Sequence, residues 1–156
     1  MPEAVIVSAT RSPIGRAFKG SLKDVRPDDL AAQMVTAALA KVPGLDPREI
    51  DDFYLGCAEP WAEHGSNMAR VVAVLAGMDH LPGATVNRFC SSSLQTTRMA
   101  MHAIRAGEGD VFISGGVECV SRYADFTGAG ESKLSWQNPA FAEARQRTER
   151  MAAQNT

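Results

Sequence analysis

Aromatic residues are scarce in this chain, at 6% of 156 positions, and cysteine is scarcer still, with three. Cys57, Cys90 and Cys119 are widely spaced and odd in number, so they match neither a disulfide framework nor a zinc cluster. No metal site is expected. There is no surplus of charge of one sign: 16 basic residues face 18 acidic ones, for a net charge of −2. That balance argues against a nucleic-acid partner held by bulk charge, and with 45% hydrophobic residues it argues against a mainly disordered chain. No apolar run approaches the roughly 20 residues of a membrane span, so no membrane partner is expected. The N-terminal MPEAVIVSAT has no basic region ahead of its apolar stretch, unlike a secretory signal. A cytoplasmic protein with reduced thiols is the default expectation.

What is present is an alternation of short apolar runs with helical patterns. Ala4 to Ala9 (AVIVSA) reads as a buried strand, and Pro13, Gly15 and Gly20 mark a loop after it. Pro27, Asp28 and Asp29 open a helix whose Leu30, Met34, Ala38 and Val42 form the expected buried stripe, with Pro43-Gly44 as its stop. Asp46-Pro47-Arg48-Glu49 reads as a second, short helical start. Phe53 to Cys57 is a second strand. Ser66 is the expected cap of an almost wholly apolar helix through Met68, Val72 and Leu75, ended by Gly77. Thr85 to Phe89 is a third strand. Ser91 to Ala106 is a helix with Leu94, Met101 and Ile104 on one side, and Val111 to Ser114 is a fourth strand closed by Gly115-Gly116. This order predicts an α/β domain with a mostly parallel sheet and helices on both faces. From Arg122 to Pro139 no clear period is visible. Pro139 opens a weakly amphipathic helix through Phe141 and Met151, in which Arg145, Arg147 and Arg150 alternate with Glu143 and Glu149 on a solvated face.

One position reads as chemistry. In TVNRFCSSSLQ a β-branched strand runs straight into the first turn of a helix, with Cys90 at the junction. Ligands of open α/β sheets gather beyond the carboxyl ends of the strands. Unpaired N–H groups and the helix dipole there favour an anion, which raises the thiolate fraction of a cysteine. The same N–H groups suit an oxyanion, and Ser91, Ser92 and Ser93 leave room for a substrate carbonyl. Against this stands the plain reading that a free cysteine is usually buried filler, which is the better reading for Cys57 and Cys119. Of the possible bases, His102 lies too far along its helix, His80 sits in a turn, and His64 reads as a solvated loop residue. None pairs convincingly with Cys90. Gly115-Gly116 fits no phosphate-binding pattern.

Four segments carry a resemblance: VIVSATRSPIGR, DDFYLGC, TVNRFCSSSLQ and GDVFISGGVECVSR. Together they resemble the N-terminal half of the thiolase family, which includes acetyl-CoA acetyltransferases and 3-ketoacyl-CoA thiolases. The resemblance spans Val5 to Arg122, and the tail RTERMAA resembles the family's entry into its CoA-binding loop region. It implies a thiolase-like α/β half over residues 1–121, followed over 122–156 by an incomplete loop region. It implies that Cys90 takes an acyl group from acyl-CoA, for thiolysis of a 3-ketoacyl-CoA or for condensation to acetoacetyl-CoA. Acyl-CoA and CoA are then substrates, with no resident cofactor. A homo-oligomer, dimer or tetramer, is implied for a full chain.

The family often has Gly where Ser93 stands and Ser where Cys119 stands. A whole thiolase is well over twice this length. The family's activating histidine and its second cysteine, with the segments HGGAxAxGHPxG and CxGxG, are not in these residues, so this segment is expected to be inactive alone. The alternatives are a β-ketoacyl synthase-like condensing enzyme and a non-catalytic thiolase-like module.

Overall fold

The structure, a computed structural model, describes residues 2–123 and 137–154. The unpatterned stretch 124–136 lies outside the described residues. Three strands form one parallel sheet: β1 (Asp52–Gly56) in the middle, β2 (Gly83–Val86) on one side and β3 (Phe112–Gly116) on the other. The helices are α1 (Pro27–Leu39), α2 (Met68–Leu75), α3 (Ser92–Ala106), α4 (Val120–Tyr123) and α5 (Ala142–Gln154).

The two faces of the sheet follow from the period of two along β1. Phe53 and Leu55 point to the face covered by α1 and α2, where they are buried with Ala31, Val35, Met68, Val72 and Leu81. Gly56 points the other way, onto α3, and so does Gly116, its partner on β3. Helices therefore lie on both faces, as the alternating order predicted. Gly107, with φ of 77°, ends α3 in the left-handed conformation that glycine adopts without penalty.

Several expectations need correction. The stretch Ala4 to Ala9 is not a strand, although its residues are apolar. Residues 2–16 form no ladder with the sheet. Side chains tether the segment to the outside of α1 and the turn after it: Ser8 Oγ donates to Ala38 O (2.8 Å), Thr10 Oγ1 to Met34 O (3.0 Å), and Lys41 Nζ to Ala9 O (2.7 Å). Val5, Ile6 and Val7 stay 69%, 79% and 74% exposed. The reason lies across an apolar groove of about 650 Å³ that separates the segment from β3. Propensity does not make a strand when no neighbouring strand is within pairing distance. The same groove explains the misread stripe of α1. Leu30, Met34, Ala38 and Val42 line it and stay half-buried, whereas Ala31 and Val35, deeper along the same groove, and Ala32 are buried.

Boundaries also shift. Asn67, not Ser66, caps α2, with its Oδ1 accepting from Arg70 N at 3.5 Å. The third predicted strand ends at Val86 rather than Phe89. On α3 the buried residues are Ser92, Thr96, Ala100 and Ala103, whereas Leu94 is 72% exposed. Small residues win this face because the helix lies against strand backbone. A Cβ on Gly56 would meet Ser92 C and Ser93 N at 2.6 Å.

A polar cluster ties the remaining elements to the start of α1. Arg26 pairs with Asp28 (3.0 Å) and Glu63 (2.9 Å), and Arg122 also clasps Glu63. Asn138 donates to Asp28 (2.8 Å) and Asp29 (3.0 Å). These carboxylates lose hydration on burial and are stable there only because guanidinium and amide donors replace it. Pro139 begins the expected last helix with a short turn, Pro139–Phe141, that runs into α5. Arg145 is half-buried and donates to Asn138 O (3.1 Å), while the other arginines and glutamates of α5 are exposed as expected.

Candidate active site

The carboxyl ends of the three parallel strands meet above the sheet. Cys57 N donates to Val86 O (3.0 Å), and Val117 N donates to Gly56 O (3.0 Å), which continues the ladder one residue beyond each strand. The chain leaving β2 turns there into a single 3-10 turn, Phe89–Ser91, fused to the start of α3. Cys90 is the middle residue of that turn, and it is exposed.

Side chains from the turn itself hold this shape. Asn87 Oδ1 accepts from Phe89 N (2.8 Å), the local bond by which asparagine makes a turn. Ser92 Oγ accepts from Arg88 N (2.9 Å) and donates to Phe89 O (2.6 Å), closing the turn from the helix side. Phe89 has φ of 49°, a left-handed conformation that an aromatic residue adopts only under constraint. Thr96 Oγ1 donates to Gly115 O (3.0 Å), so α3 is tied to β3 as well as pressed against it. Gly116 thus serves close helix packing, and Gly115 offers its carbonyl to Thr96.

The other two cysteines behave as expected of packing residues. Cys57 is fully buried, and its thiol donates to Glu118 Oε1 (3.5 Å). Burial first, and then the Glu118 carboxylate, push its pKa up to about 12. Burial also raises the Cys119 thiol. Both are held as thiols at neutral pH, which removes them as nucleophiles.

His64 departs from expectation. It is 0% exposed, not solvated, and its Nε2 accepts from Cys119 N (3.0 Å). Burial lowers its pKa below the usual 6.5 and keeps it neutral. With Nε2 engaged by a backbone N–H, it is not placed as a base for Cys90. His80 Nε2 bonds Pro47 O (3.0 Å), and His102 stands exposed midway along α3. No histidine joins Cys90 among the described residues. No group of three or more His, Cys, Asp or Glu able to hold a metal occurs there either. No described helix is long and apolar enough to cross a membrane.

Two residues at this end of the sheet went unremarked in the sequence. Asn87 had a local signal, being a turn-forming residue just before the cysteine. Glu118 had none, because its partners Cys57, Ala58 and Glu59 lie about 60 positions away in the chain.

Comparison with known proteins agrees with this geometry. The family described as thiolase, N-terminal domain, matches residues 4–147. The chain is 50% identical over 123 residues to a 3-ketoacyl-CoA thiolase of Bacillus subtilis, covering 78% of this chain and 31% of that protein. It is 44% identical over 142 residues to the 3-oxoadipyl-CoA/3-oxo-5,6-dehydrosuberyl-CoA thiolase of Escherichia coli, covering 90% and 35%. The crystal structure of the Bacillus anthracis acetyl-CoA acetyltransferase superimposes with a TM-score of 0.69 at 36% identity, covering 83% of this chain and 34% of that one. The chain spans about a third of the length of these relatives. A parallel sheet with helices on both faces, an exposed cysteine on the turn from strand to helix, and a family match over most of the residues lead to one conclusion: the chain belongs to the thiolase family of acyltransferases, to its N-terminal domain.

Proposed function

We propose that this chain supplies the acyl-accepting part of a thiolase active site, with Cys90 as the nucleophile. The observation that carries the reading is the exposure of Cys90 on a constrained turn at the carboxyl end of a parallel sheet, while Cys57 and Cys119 are held protonated by burial. The Cys90 thiolate adds to the thioester carbonyl of an acyl-CoA. The C–S bond to CoA breaks, CoA leaves as its thiolate, and the acyl group stays on Sγ as a new thioester. In thiolysis the Cys90 thiolate adds instead to the 3-keto carbon of a 3-ketoacyl-CoA. The C2–C3 bond breaks, and acetyl-CoA leaves as its α-carbon takes a proton. CoA thiolate then takes the acyl group from Sγ, freeing the Cys90 thiolate. In condensation the α-carbon of a second acetyl-CoA gives a proton to the second cysteine supplied from outside these residues and attacks the acyl carbon. The Sγ–C bond breaks to release acetoacetyl-CoA and the Cys90 thiolate. The product thioester is as reactive as the substrate, so one difficult transfer is divided into two easier ones. In this reading, N–H groups at the start of α3 not already bonded within the Phe89–Ser91 turn stabilise the developing oxyanion.

Residues 1–121 carry the nucleophile in this reading, and 122–156 begin the CoA-binding region. The histidine and second cysteine of the family reaction are supplied by sequence outside these 156 residues. The completed protein is a homo-oligomeric cytoplasmic enzyme acting on acyl-CoA substrates in fatty acid metabolism. The test is twofold. Residues 1–156 alone show negligible thiolysis of acetoacetyl-CoA, and the same residues joined to the C-terminal part of the Bacillus subtilis relative show turnover. In the joined protein, acetyl-CoA adds an acetyl mass to the peptide containing Cys90, and Cys90→Ala abolishes that addition. Full activity of residues 1–156, or acetylation elsewhere with Cys90 untouched, overturns the proposal.

A further inference from the structure

The turn that presents Cys90 is held by more than its own residues. Asn87 uses both ends of its amide. Its Oδ1 accepts from Phe89 N (2.8 Å), and its Nδ2 donates to Ala58 O (3.0 Å), in the loop after β1. That loop is pinned in turn by Glu118, just beyond β3. The Glu118 carboxylate accepts from Ala58 N (2.7 Å), Glu59 N (3.3 Å) and Cys57 Sγ (3.5 Å). Three strand ends are thereby linked in one sequence of bonds: Glu118 holds Ala58, Ala58 holds Asn87, and Asn87 holds Phe89.

The link ends on Phe89, the left-handed residue immediately before Cys90. A left-handed phenylalanine is a conformation that its surroundings must impose. The Asn87 Oδ1 bond supplies that imposition from the β2 side, as Ser92 does from the helix side. Charge strengthens the far end of the link. A carboxylate accepting backbone N–H bonds makes shorter and stronger bonds than a neutral acceptor. Beside this path, the loop meets β2 through one backbone bond, Cys57 N to Val86 O (3.0 Å), which precedes Ala58 and leaves the Asn87 turn to the side-chain link.

We infer that Glu118 and Asn87 are positioning residues for Cys90, with Glu118 acting through the Ala58 peptide and Asn87 to fix the Phe89 turn. The inference rests on the reading of Cys90 as nucleophile. It adds that this geometry depends on a side chain beyond the third strand. Glu118 and Asn87 are themselves exposed. Their loss therefore loosens the turn without emptying a core, and the effect is graded.

The experiment follows the turn and the thiol separately in the 156-residue chain. Amide hydrogen exchange is read at Phe89 and at Ala58 and Glu59. Alkylation of Cys90 by iodoacetamide is read by peptide mass spectrometry. Denaturant midpoints confirm that each variant is folded. Glu118→Ala and Asn87→Ala are each expected to speed Phe89 exchange by about tenfold, the scale of one net hydrogen bond, and to slow Cys90 alkylation severalfold. The double variant is expected to be no worse than either single one, because the two residues act in series. Asn87→Asp keeps the acceptor for Phe89 N and loses the donor to Ala58 O. It is expected to speed Phe89 exchange as much as Glu118→Ala does, and to make Cys90 insensitive to Glu118→Ala.

Exchange that rises only at Ala58 and Glu59 in Glu118→Ala, with Phe89 and Cys90 unmoved, overturns the inference, since Glu118 would then hold its own loop and nothing more. Additive effects in the double variant overturn it too. A wild-type Cys90 that alkylates no faster than Cys57 overturns the nucleophile reading itself, and so the two failures are distinguishable.

Discussion

On one face of β1, Phe53 and Leu55 are 1% and 3% exposed beneath α1 and α2. On the other face, Gly56 lies so close to α3 that an added Cβ would strike the helix backbone at 2.6 Å. The first face is thick and filled by large side chains, and it gains free energy by removing apolar surface from water. The second is thin at its carboxyl end, where Gly56 and Gly116 meet α3, while toward its other end Tyr54 stacks on Phe112 with ring centroids 5.8 Å apart. What it provides is proximity: the first turn of α3, and Cys90 before it, is set directly on the strand ends. One strand thus separates the part of the molecule that stabilises from the part that positions.

Truncating the thick face tests this division most severely. Phe53→Ala is expected to cost about 3–5 kcal/mol in urea unfolding, while Cys90 alkylation in the molecules that remain folded stays close to wild type. A large change in Cys90 reactivity at low denaturant would break the distinction. Adding one methyl to the thin face should do the reverse. Gly56→Ala is expected to cost about 1–3 kcal/mol through overpacking, yet to change Cys90 alkylation more than Phe53→Ala does, because α3 must retreat from the strand. Gly116→Ala, whose Cβ meets Ser93 Cβ at 2.7 Å, should follow with a similar effect, since a Cβ moves only with its backbone.

The pH dependence sharpens the comparison from a third site. His64 is buried neutral, with its pKa below the usual 6.5. Below pH 6.5 the unfolded chain takes up a proton that the folded chain does not, so stability falls as the pH drops from about 6.5. The slope is at most about 1.4 kcal/mol per pH unit. Denaturant midpoints at pH 7.5 and 5.5 measure it, and His64→Gln should flatten this part of the profile. The smallest effect is expected outside both faces. Ile6→Ser, at a position 79% exposed, should change stability by no more than about 0.5 kcal/mol. A loss of several kcal/mol there would show that the N-terminal segment is packed in solution.

Much of this was readable in the sequence, for local reasons. Asp46 and Pro47 announce a turn start, Gly77 and Gly107 announce helix ends, and the β-branched run into Cys90 announces a strand-to-helix junction. Each signal lies within a few residues of its consequence. The failures came where the deciding partner is distant. Val5–Val7 have every local feature of a strand, but pairing is decided by the distance to β3. Leu94 looks like a core residue on a helical wheel, but the glycines of β1 and β3 select small residues for the buried side of α3. His64 looks like a loop residue because nothing nearby in sequence predicts the Cys119 N–H that meets it. At the candidate site, the strand-to-helix turn that holds Cys90 was visible and Asn87 half-visible as a turn former, whereas every contact of Glu118 lies across the fold.

The left-handed Phe89 has a consequence for anyone seeking a hardier variant. Glycine is at ease at a φ of 49°, so Phe89→Gly would relieve conformational strain of about 1–3 kcal/mol in the folded chain. Glycine also gives the unfolded chain more freedom, which returns about 0.5–1 kcal/mol of that gain. What survives as extra heat tolerance would come from a hinge newly free to wander beside the thiol, so a screen for melting temperature alone would reward loosening the turn that presents Cys90.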